Sequence, residues 1–349
     1  MCRGLRDTRW RTEHTKRMTT SPAPDPLLAA TRALVERGEW NTLRASLVGR
    51  DVEVAARPEV ALLLAEAELR LGAAGAAEQR LRKLVPQLER ANNRVAHRRA
   101  INLLGIAQFE LGDLEAAEGA FDTVLDLANA DHDDLLVARA TNNLGAIANL
   151  RGRREAALAL YQLAIPAYQR LGASLGLAQS FHNMGITFRQ IGQLDPADEY
   201  ERRAIEFANE AADSRLVAMA RVGRAEVALQ AGDAHLAEMG ARVAAQQFAS
   251  IPDPIGEADA MRLVGVACRA AGKFVEAGVA LDTAVQLSQK HGSPLVEAES
   301  LHARAELAIV ARSPHHARPD AERALEIFTR LGATEERTAV ERLLAELDD

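Results

Sequence analysis

Arginine and carboxamide side chains recur at forty-residue spacing in the first half of the sequence, with few carboxylates among them, Glu110 being the exception. An asparagine side chain offers both a donor and an acceptor, so a row of asparagines can bind the backbone of an extended peptide whatever its sequence. Arginine can hold a carboxylate through two parallel hydrogen bonds. The alternative interpretation is a solvated polar face without a ligand. The residues that we predict to bind a peptide are Arg99, Asn102, Arg139, Asn142, Asn143, Asn149, His182, Asn183 and Arg189.

Residue types that support catalysis or metal binding form no recognisable pattern. The sequence contains no phosphate-binding Gly-Lys-Ser/Thr loop, no Cys-x-x-Cys pair, no His-Glu-x-x-His helix and no serine in a nucleophile elbow. The adjacent His315 and His316 would point about 100° apart on a helix, so we interpret them as solvated. The isolated His97, His182 and His302 are expected to be polar groove residues. The sequence predicts no catalytic residue, no metal site and no cofactor, and thus a protein that is not an enzyme.

The elements that position these side chains repeat every forty residues. A fixed period of this length is typical of tandem arrays, in which each unit packs only on its neighbours and the whole presents an extended binding surface. One glycine register and one alanine register define the period. They consist of Gly72, Gly112, Gly152, Gly192, Gly232 and Gly272, and of Ala77, Ala117, Ala157, Ala197, Ala237, Ala277 and Ala317.

Each unit carries the apolar spacing of two α-helices. In the unit that starts at Arg99, Ile101 and Leu104 lie on one helical face, and the helix is predicted to end at Gly112 before a second helix begins. Gly105 falls where the two helices cross, which predicts a close approach that excludes large side chains. Its counterparts are Gly145, Gly185 and Gly265, and in other units Ala65, Ala225 and Ala305.

At this point the units resemble tetratricopeptide repeats. The resemblance rests on Asn143-Leu144-Gly145, Gly152, Ala157 and Tyr161, and it covers about residues 25–333. Repeats of that family are about 34 residues long, so helices and turns here accommodate about six more. The resemblance implies an all-α fold, a right-handed α-solenoid of about seven to eight tandem antiparallel helix hairpins whose first helices line the concave side. The forty-residue form is similar to the arrays of bacterial regulators and of peptide-binding scaffolds with an Asn-Leu-Gly element. In such scaffolds these asparagines bind peptide, and the resemblance implies the same role for Asn143 and Asn183.

The ends of the chain depart from the repeat. Residues 1–24 are basic and non-periodic and are interpreted as a disordered tail, with Met18 as an alternative start. Residues 25–57 form a divergent N-terminal helical repeat, residues 58–333 the tandem repeats, and residues 334–349 a C-terminal capping helix. Pro314 and Pro319 predict a loop over residues 313–318, and Pro86 and Pro166 predict a bend or an end in two outer helices.

Composition narrows the class of partner. The formal net charge is -7 and the pI is about 5.8, which argues against a nucleic-acid binder because such a protein needs a basic face. Two cysteines cannot build a disulfide framework, and no stretch has the roughly eighteen apolar residues of a membrane span. We therefore expect a cytoplasmic protein that binds a protein or peptide, no nucleic acid and no membrane, and that is a monomer.

Two function classes remain open. The first is a scaffold or adaptor that holds an extended, acidic segment in the concave groove; the second is a peptide-sensing regulator whose array changes conformation and acts on a partner protein. The groove is expected to change character along its length, because its C-terminal half mixes both signs of charge. That half contains Glu226, Asp259, Arg262, Arg269, Glu299, His302 and Glu306.

Overall fold

The structure, a computed structural model, describes residues 25–251, 253–312, 314–331 and 333–347, with only the backbone of Pro314 and His316. Every regular element in this part of the chain is an α-helix. The predicted tail, residues 1–24, lies outside the described residues. The helices are α1 (Pro26–Glu36), α2 (Trp40–Leu47), α3 (Asp51–Ala55), α4 (Pro58–Arg70), α5 (Ala74–Arg90), α6 (Arg94–Glu110), α7 (Leu114–Ala130), α8 (Asp134–Leu150), α9 (Arg154–Arg170), α10 (Ser174–Gln190), α11 (Leu194–Glu210), α12 (Ser214–Gln230), α13 (Ala234–Ser250), α14 (Pro254–Ala270), α15 (Phe274–His291), α16 (Pro294–Val310), α17 (Pro314–Leu331) and α18 (Thr334–Glu346).

The described chain divides into two compact units: unit 1 ends at residue 120, and unit 2 begins at residue 121. In unit 1, α4 packs against α5 and α5 against α6, while α1, α2 and α3 pack on α4. In unit 2, every even-numbered helix from α8 to α16, here called a first helix, packs against the second helix that follows it in sequence. The α18 helix packs on α17 with Val340 and Leu343 buried. The predicted all-α arrangement of tandem helix hairpins with a C-terminal helix is confirmed in these units.

The repeated glycine stands at the turn inside each hairpin, where the backbone requires it. Gly152 has φ 74° and Gly192 has φ 78°, in the left-handed region that side chains with a Cβ disfavour. The turn closes with Schellman-type hydrogen bonds, such as the amide of Arg153 donating to the carbonyl of Ala148 at 2.9 Å. The turns between hairpins use the same conformation at Asn92, His132, Gly172, Ala212 and Gly292.

A second glycine register forms a notch at the crossing of the two helices of a hairpin. A Cβ placed on Gly145 would lie 2.5 Å from Cε1 of Tyr161, and one on Gly265 would lie 2.5 Å from Cγ of Leu281. The large side chain of the second helix therefore occupies the space that the glycine leaves. The predicted close approach of the two helices is confirmed.

Proline interrupts the helices less than the sequence suggests. The loop predicted over residues 313–318 is wrong for the described residues, because α17 begins at Pro314. Proline is compatible with the first helical turn, where its missing N–H has no partner to lose. Both α5 and α9 also continue past Pro86 and Pro166, so neither proline ends its helix.

Two arginines stand at register positions that are leucine in other repeats, and both are paired with carboxylates. Arg224 donates to Asp198 at 2.7 Å. Arg304 donates to Asp320 at 2.6 Å and to Asp282 at 2.7 Å. Each guanidinium thus joins a first helix to a second helix by charge. Among the described residues, no helix has both the length and the apolar content of a membrane-crossing segment.

Candidate functional site

The first helices of unit 2 form one continuous face. Contacts join α8 to α10, α10 to α12, α12 to α14 and α14 to α16. Seven of the nine residues predicted to bind a peptide lie on α8 and α10, whereas Arg99 and Asn102 lie on α6 in unit 1. These nine residues differ in the hydrogen bonds and ion pairs that their side chains form within the protein.

Two of the predicted asparagines join neighbouring first helices. The Ser180 hydroxyl donates to Oδ1 of Asn142 at 2.9 Å, and the Thr187 hydroxyl donates to Oδ1 of Asn149 at 3.1 Å. All four side chains are buried. Asn142 and Asn149 on α8 thus hold α10 in place, and their carboxamide oxygens are already used inside the protein.

Three other predicted residues remain open to a ligand. Arg139 is exposed, and Asn143 and Asn183 are half-buried. Within the described part of the chain, none of these three side chains has a hydrogen-bond or ion-pair partner. The two asparagines stand exactly forty residues apart, one on α8 and the next on α10. They are also the two on which the resemblance to Asn-Leu-Gly arrays rests.

The two predicted residues of unit 1 are engaged differently. Arg99 is exposed and forms an ion pair with Glu66 on α4. Asn102 is buried, and its Oδ1 has no hydrogen-bond partner within the described residues. A ligand at Arg99 would therefore have to compete with Glu66.

His182 forms a buried pair with a residue that the sequence analysis missed. Its Nδ1 lies 2.8 Å from Oε2 of Glu201, and both residues are almost fully buried. Burial alone lowers the pKa of His182, but the Glu201 carboxylate outweighs it and raises that pKa above its usual value. Burial raises the pKa of Glu201, and the imidazole opposes the rise only in part. The signal in the sequence is a carboxylate at the register of Phe121 and Tyr161.

Arg189 belongs to the next layer of charge. Its guanidinium lies 2.9 Å from Oε2 of Glu226 on α12, and its buried Nε has no partner among the described groups. Burial raises the pKa of Glu226, while Arg189 opposes that rise. The Arg189 guanidinium is therefore already paired with the carboxylate of Glu226.

Most of the charged residues named above on α14 and α16 form ion pairs with one another. Arg262 lies 2.6 Å from Asp259 and 3.4 Å from Glu299, and Arg269 lies 2.7 Å from Glu306. Burial lowers the pKa of Arg262, but the nearby carboxylates raise it by more. The pKa therefore lies above its usual value, and the guanidinium stays charged. The contacts with Glu299 and Glu306 join α14 to α16. His302, also predicted for this face, is half-buried on α16, and burial lowers its pKa.

A cavity of about 330 Å³ opens beside Arg139. Arg139 on α8, Tyr168 on α9 and Glu210 on α11 contribute to its wall, together with Gly176 and Gln179 of α10. The described residues contain no group of three or more histidine, cysteine, aspartate or glutamate side chains arranged to hold a metal ion.

Comparison with known proteins agrees with the repeated helix hairpins described above. The tetratricopeptide repeat family model matches residues 136–210, which run from α8 to the end of α11. Comparison with curated protein sequences gives no match.

Among solved structures, a Rap protein complexed with Competence and Sporulation Factor is 12% identical, with a TM-score of 0.63 over 92% of this chain and 96% of that one. NprR in complex with its cognate peptide NprX is 14% identical, with a TM-score of 0.57 over 80% and 82%. A STAND protein with a tetratricopeptide repeat sensor from Pyrococcus horikoshii is 15% identical, with a TM-score of 0.59 over 92% of this chain and only 53% of that one.

At these identities the solved structures show a shared fold and nothing finer. The fold is the one that the glycine turns and helix notches build, and the sequence match falls on the hairpins that carry Asn143 and Asn183. The chain thus contains tetratricopeptide repeats, identified over residues 136–210.

Proposed function

We propose that the protein is a non-enzymatic binding protein that holds an extended, acidic peptide segment on the first-helix face of unit 2. The observation that carries this proposal is the pair of unpartnered carboxamides, Asn143 and Asn183, beside the unpartnered guanidinium of Arg139. Polar groups on a protein surface that already satisfy one another gain little from a ligand. These three groups have no internal partner to lose.

The spacing of the two asparagines suits a peptide backbone. They occupy equivalent positions on α8 and α10, which are in direct contact, and the axes of packed helices lie about 8–10 Å apart. An extended chain advances about 3.3 Å per residue, so about three peptide residues span the two carboxamides. Each carboxamide can both donate to a backbone carbonyl and accept from a backbone N–H, which binds the peptide independently of its side chains.

The charge near the asparagines favours an acidic segment. Arg139 is exposed and unpaired, whereas Arg189 is neutralised by Glu226 and Arg262 by Asp259 and Glu299. The free positive charge on this face is therefore at its α8 end. An acidic ligand residue would meet Arg139 without displacing an existing carboxylate.

Peptide binding by related folds supports the same conclusion. NprR, which shares the fold, is solved in complex with its cognate peptide NprX. A peptide-sensing regulator that acts on a partner protein is the second candidate function, favoured by that likeness and by the Rap complex. Both candidate functions use the first-helix face of unit 2. They differ in whether peptide binding changes the affinity of the protein for a second protein.

The test is selection of random peptides on the immobilised protein, followed by calorimetric titration of the selected sequences. We expect sequences rich in Asp and Glu. The double variant Asn143→Ala/Asn183→Ala should bind them on the order of tenfold more weakly, because two hydrogen-bonding groups of about 0.5–1.5 kcal/mol each are lost. Binding should also weaken as salt is raised, since exposed charges are screened over about 8 Å at physiological ionic strength.

The matched control removes two carboxamides from a second helix. Gln162→Ala/Gln169→Ala changes exposed residues of α9 and should leave the affinity unchanged. If this control loses binding and the asparagine variant keeps it, the ligand does not lie on the first-helix face. If selection yields no peptide that binds, peptide binding itself is refuted.

A further inference from the structure

The N-terminus of α10 lacks the side-chain cap that the first helices α8, α12 and α14 have. In α8, α12 and α14 an aspartate accepts a hydrogen bond from the amide of the third helical residue; the distance is 2.9 Å from Asp213 to Leu216. In α10 the capping position is Ala173, which has no side-chain acceptor. The amides of Leu175 and Gly176 make no hydrogen bond within the described chain.

A tyrosine whose hydroxyl has no partner among the described residues lies beside these amides and lines the cavity. Tyr168 is 1% exposed, and its hydroxyl makes no hydrogen bond to any described residue. A Cβ on Gly176 would lie 2.7 Å from Cζ of Tyr168, the carbon that carries the hydroxyl. The glycine thus lets the phenol end of the ring lie against the start of α10. Burial raises the pKa of Tyr168, so the hydroxyl keeps the proton that it can donate.

These groups share the cavity of about 330 Å³ beside Arg139. Arg139 acts on Tyr168 electrostatically and forms no ion pair within the described residues. A helix N-terminus carries partial positive charge, and its free amides are donors. The cavity is therefore lined by a guanidinium, a phenol hydroxyl and two backbone amides. Each of these groups can donate a hydrogen bond, and none has an acceptor among the described residues.

We infer that this cavity binds a carboxylate of the peptide segment, held by the amide of Gly176, the Tyr168 hydroxyl and Arg139. The inference rests on the proposed function in taking a peptide as the source of the carboxylate, which is either an Asp or Glu side chain or the chain's C-terminal carboxylate. The bound group replaces the aspartate that caps α8, α12 and α14.

A carboxylate that also lines the cavity restricts the charge of the ligand. Glu210 belongs to this lining, and its carboxylate accepts from the hydroxyl of Ser174, the first residue of α10, at 3.0 Å. Since like charges repel, a singly charged carboxylate is favoured beside Glu210 over a doubly charged phosphate.

The experiment measures the backbone amide signal of Gly176 by NMR in protein labelled with ¹⁵N-glycine. N-acetyl-aspartate N-methylamide supplies a side-chain carboxylate, N-acetyl-alanine a terminal one, and inorganic phosphate the doubly charged comparison. We expect a saturable shift of the Gly176 signal with at least one carboxylate probe, at lower concentration than with phosphate. The probe that saturates first identifies the source of the carboxylate.

Three variants test the donors. Ala173→Asp supplies the missing cap, so its own carboxylate should occupy the α10 amides and abolish the shift while the helix stays folded. Ser293→Asp is the matched control. Ser293 is the N-cap residue of α16, its side chain makes no capping hydrogen bond, and it lies outside the cavity. Tyr168→Phe should weaken binding about two- to tenfold, whereas Tyr161→Phe on the same helix should not.

The inference is overturned if no carboxylate shifts the Gly176 signal beyond what chloride produces, if Ala173→Asp shifts as the wild type does, or if phosphate binds more tightly than both carboxylates. A selected peptide that binds wild type and Ala173→Asp with equal affinity also overturns it, and leaves the proposed function standing. Conversely, small carboxylates that bind at Gly176 in a protein that selects no peptide would refute only the proposed function.

Discussion

The α8–α9 and α10–α11 hairpins build the same notch and fill it with opposite chemistry. In the first hairpin the glycine is Gly145 and the inserted side chain is Tyr161; in the second they are Gly185 and Glu201. Tyr161 adds an aromatic ring that is 1% exposed. Glu201 adds a carboxylate that needs His182.

The difference shows that the backbone of the repeat does not depend on what fills the notch. Burial of an apolar ring stabilises a hairpin at any pH, whereas a buried carboxylate is tolerated only with a partner. Replacing such a pair by apolar groups is often neutral or stabilising, but removing one partner is strongly destabilising. The α10–α11 hairpin should therefore be sensitive to changes that leave one charge alone.

The largest effect is expected from Glu201→Ala, which leaves His182 buried without its carboxylate. We expect a loss of about 3–5 kcal/mol in the free energy of unfolding, measured by urea denaturation followed by circular dichroism. Adding His182→Leu should recover part of this loss. A loss below about 1 kcal/mol for the single variant would mean that the pair is not a determinant of the hairpin.

Gly145→Leu should come next, because the new side chain would overlap the Tyr161 ring. Overpacking of this kind costs about 1–3 kcal/mol or more. Ala156→Leu, at an exposed position of α9, is the matched control and should be within about 0.5 kcal/mol of wild type. Equal effects of the two changes would show that the notch is not closed as the structure has it.

The two hairpins should also differ in pH dependence. The folded pKa values of His182 and Glu201 are both raised, so the folded state holds more protons than the unfolded chain, and stability falls as pH rises. The decline begins as the pH passes the usual pKa values, 4.5 for Glu201 and 6.5 for His182, and ends at the raised pKa values.

The double variant His182→Asn/Glu201→Tyr transfers the side chains of Asn142 and Tyr161 to the second hairpin and removes both titrating groups. Its free energy of unfolding should fall less steeply than that of wild type between about pH 5 and 8. Glu299 has a raised pKa in both proteins, and the charge of His182 also acts on Glu226, so the difference between the two slopes reports the His182–Glu201 pair together with its coupling to Glu226. Identical slopes would contradict the assignment.

The smallest effect separates structure from binding on α8. Asn149→Ala removes the acceptor of a buried hydrogen bond from Thr187 and should cost about 1 kcal/mol in stability. Asn143→Ala removes no internal bond and should be neutral in stability while weakening peptide binding. A stability loss at Asn143 as large as that at Asn149 would contradict the distinction between them.

Periodicity in the sequence predicts the helices, the turns and the notch, because each of these depends on residues within one hairpin. The glycine of the turn is required by its own backbone conformation, and Gly145 by Tyr161, sixteen positions later. Comparison of units forty residues apart reveals such requirements directly.

The fine structure of the site follows a different spacing, which is why the sequence did not predict it. Asn142 bonds to Ser180 and Asn149 to Thr187, 38 positions apart, and Arg269 pairs with Glu306, 37 positions apart. Neighbouring first helices therefore meet at an offset from the repeat period. When the units are aligned at a spacing of forty residues, Asn142 and Asn143 look equally available to a ligand. In the structure the side chain of Asn142 is hydrogen-bonded to Ser180, whereas that of Asn143 has no partner among the described residues.

The left-handed turn inside each hairpin has a consequence for how such a chain can change its length. Because Gly152, Gly192 and Gly232 hold the same conformation and the helices between them have 17 residues each, excision of forty residues between two such glycines rejoins identical backbone. Only side-chain contacts across the new junction change. An insertion or deletion inside a helix rotates the residues after it by about 100° per residue, and unless it is close to a whole number of turns it moves their apolar stripe away from the partner helix. Recombination between like segments is therefore a route by which whole hairpins can be gained or lost without refolding the rest.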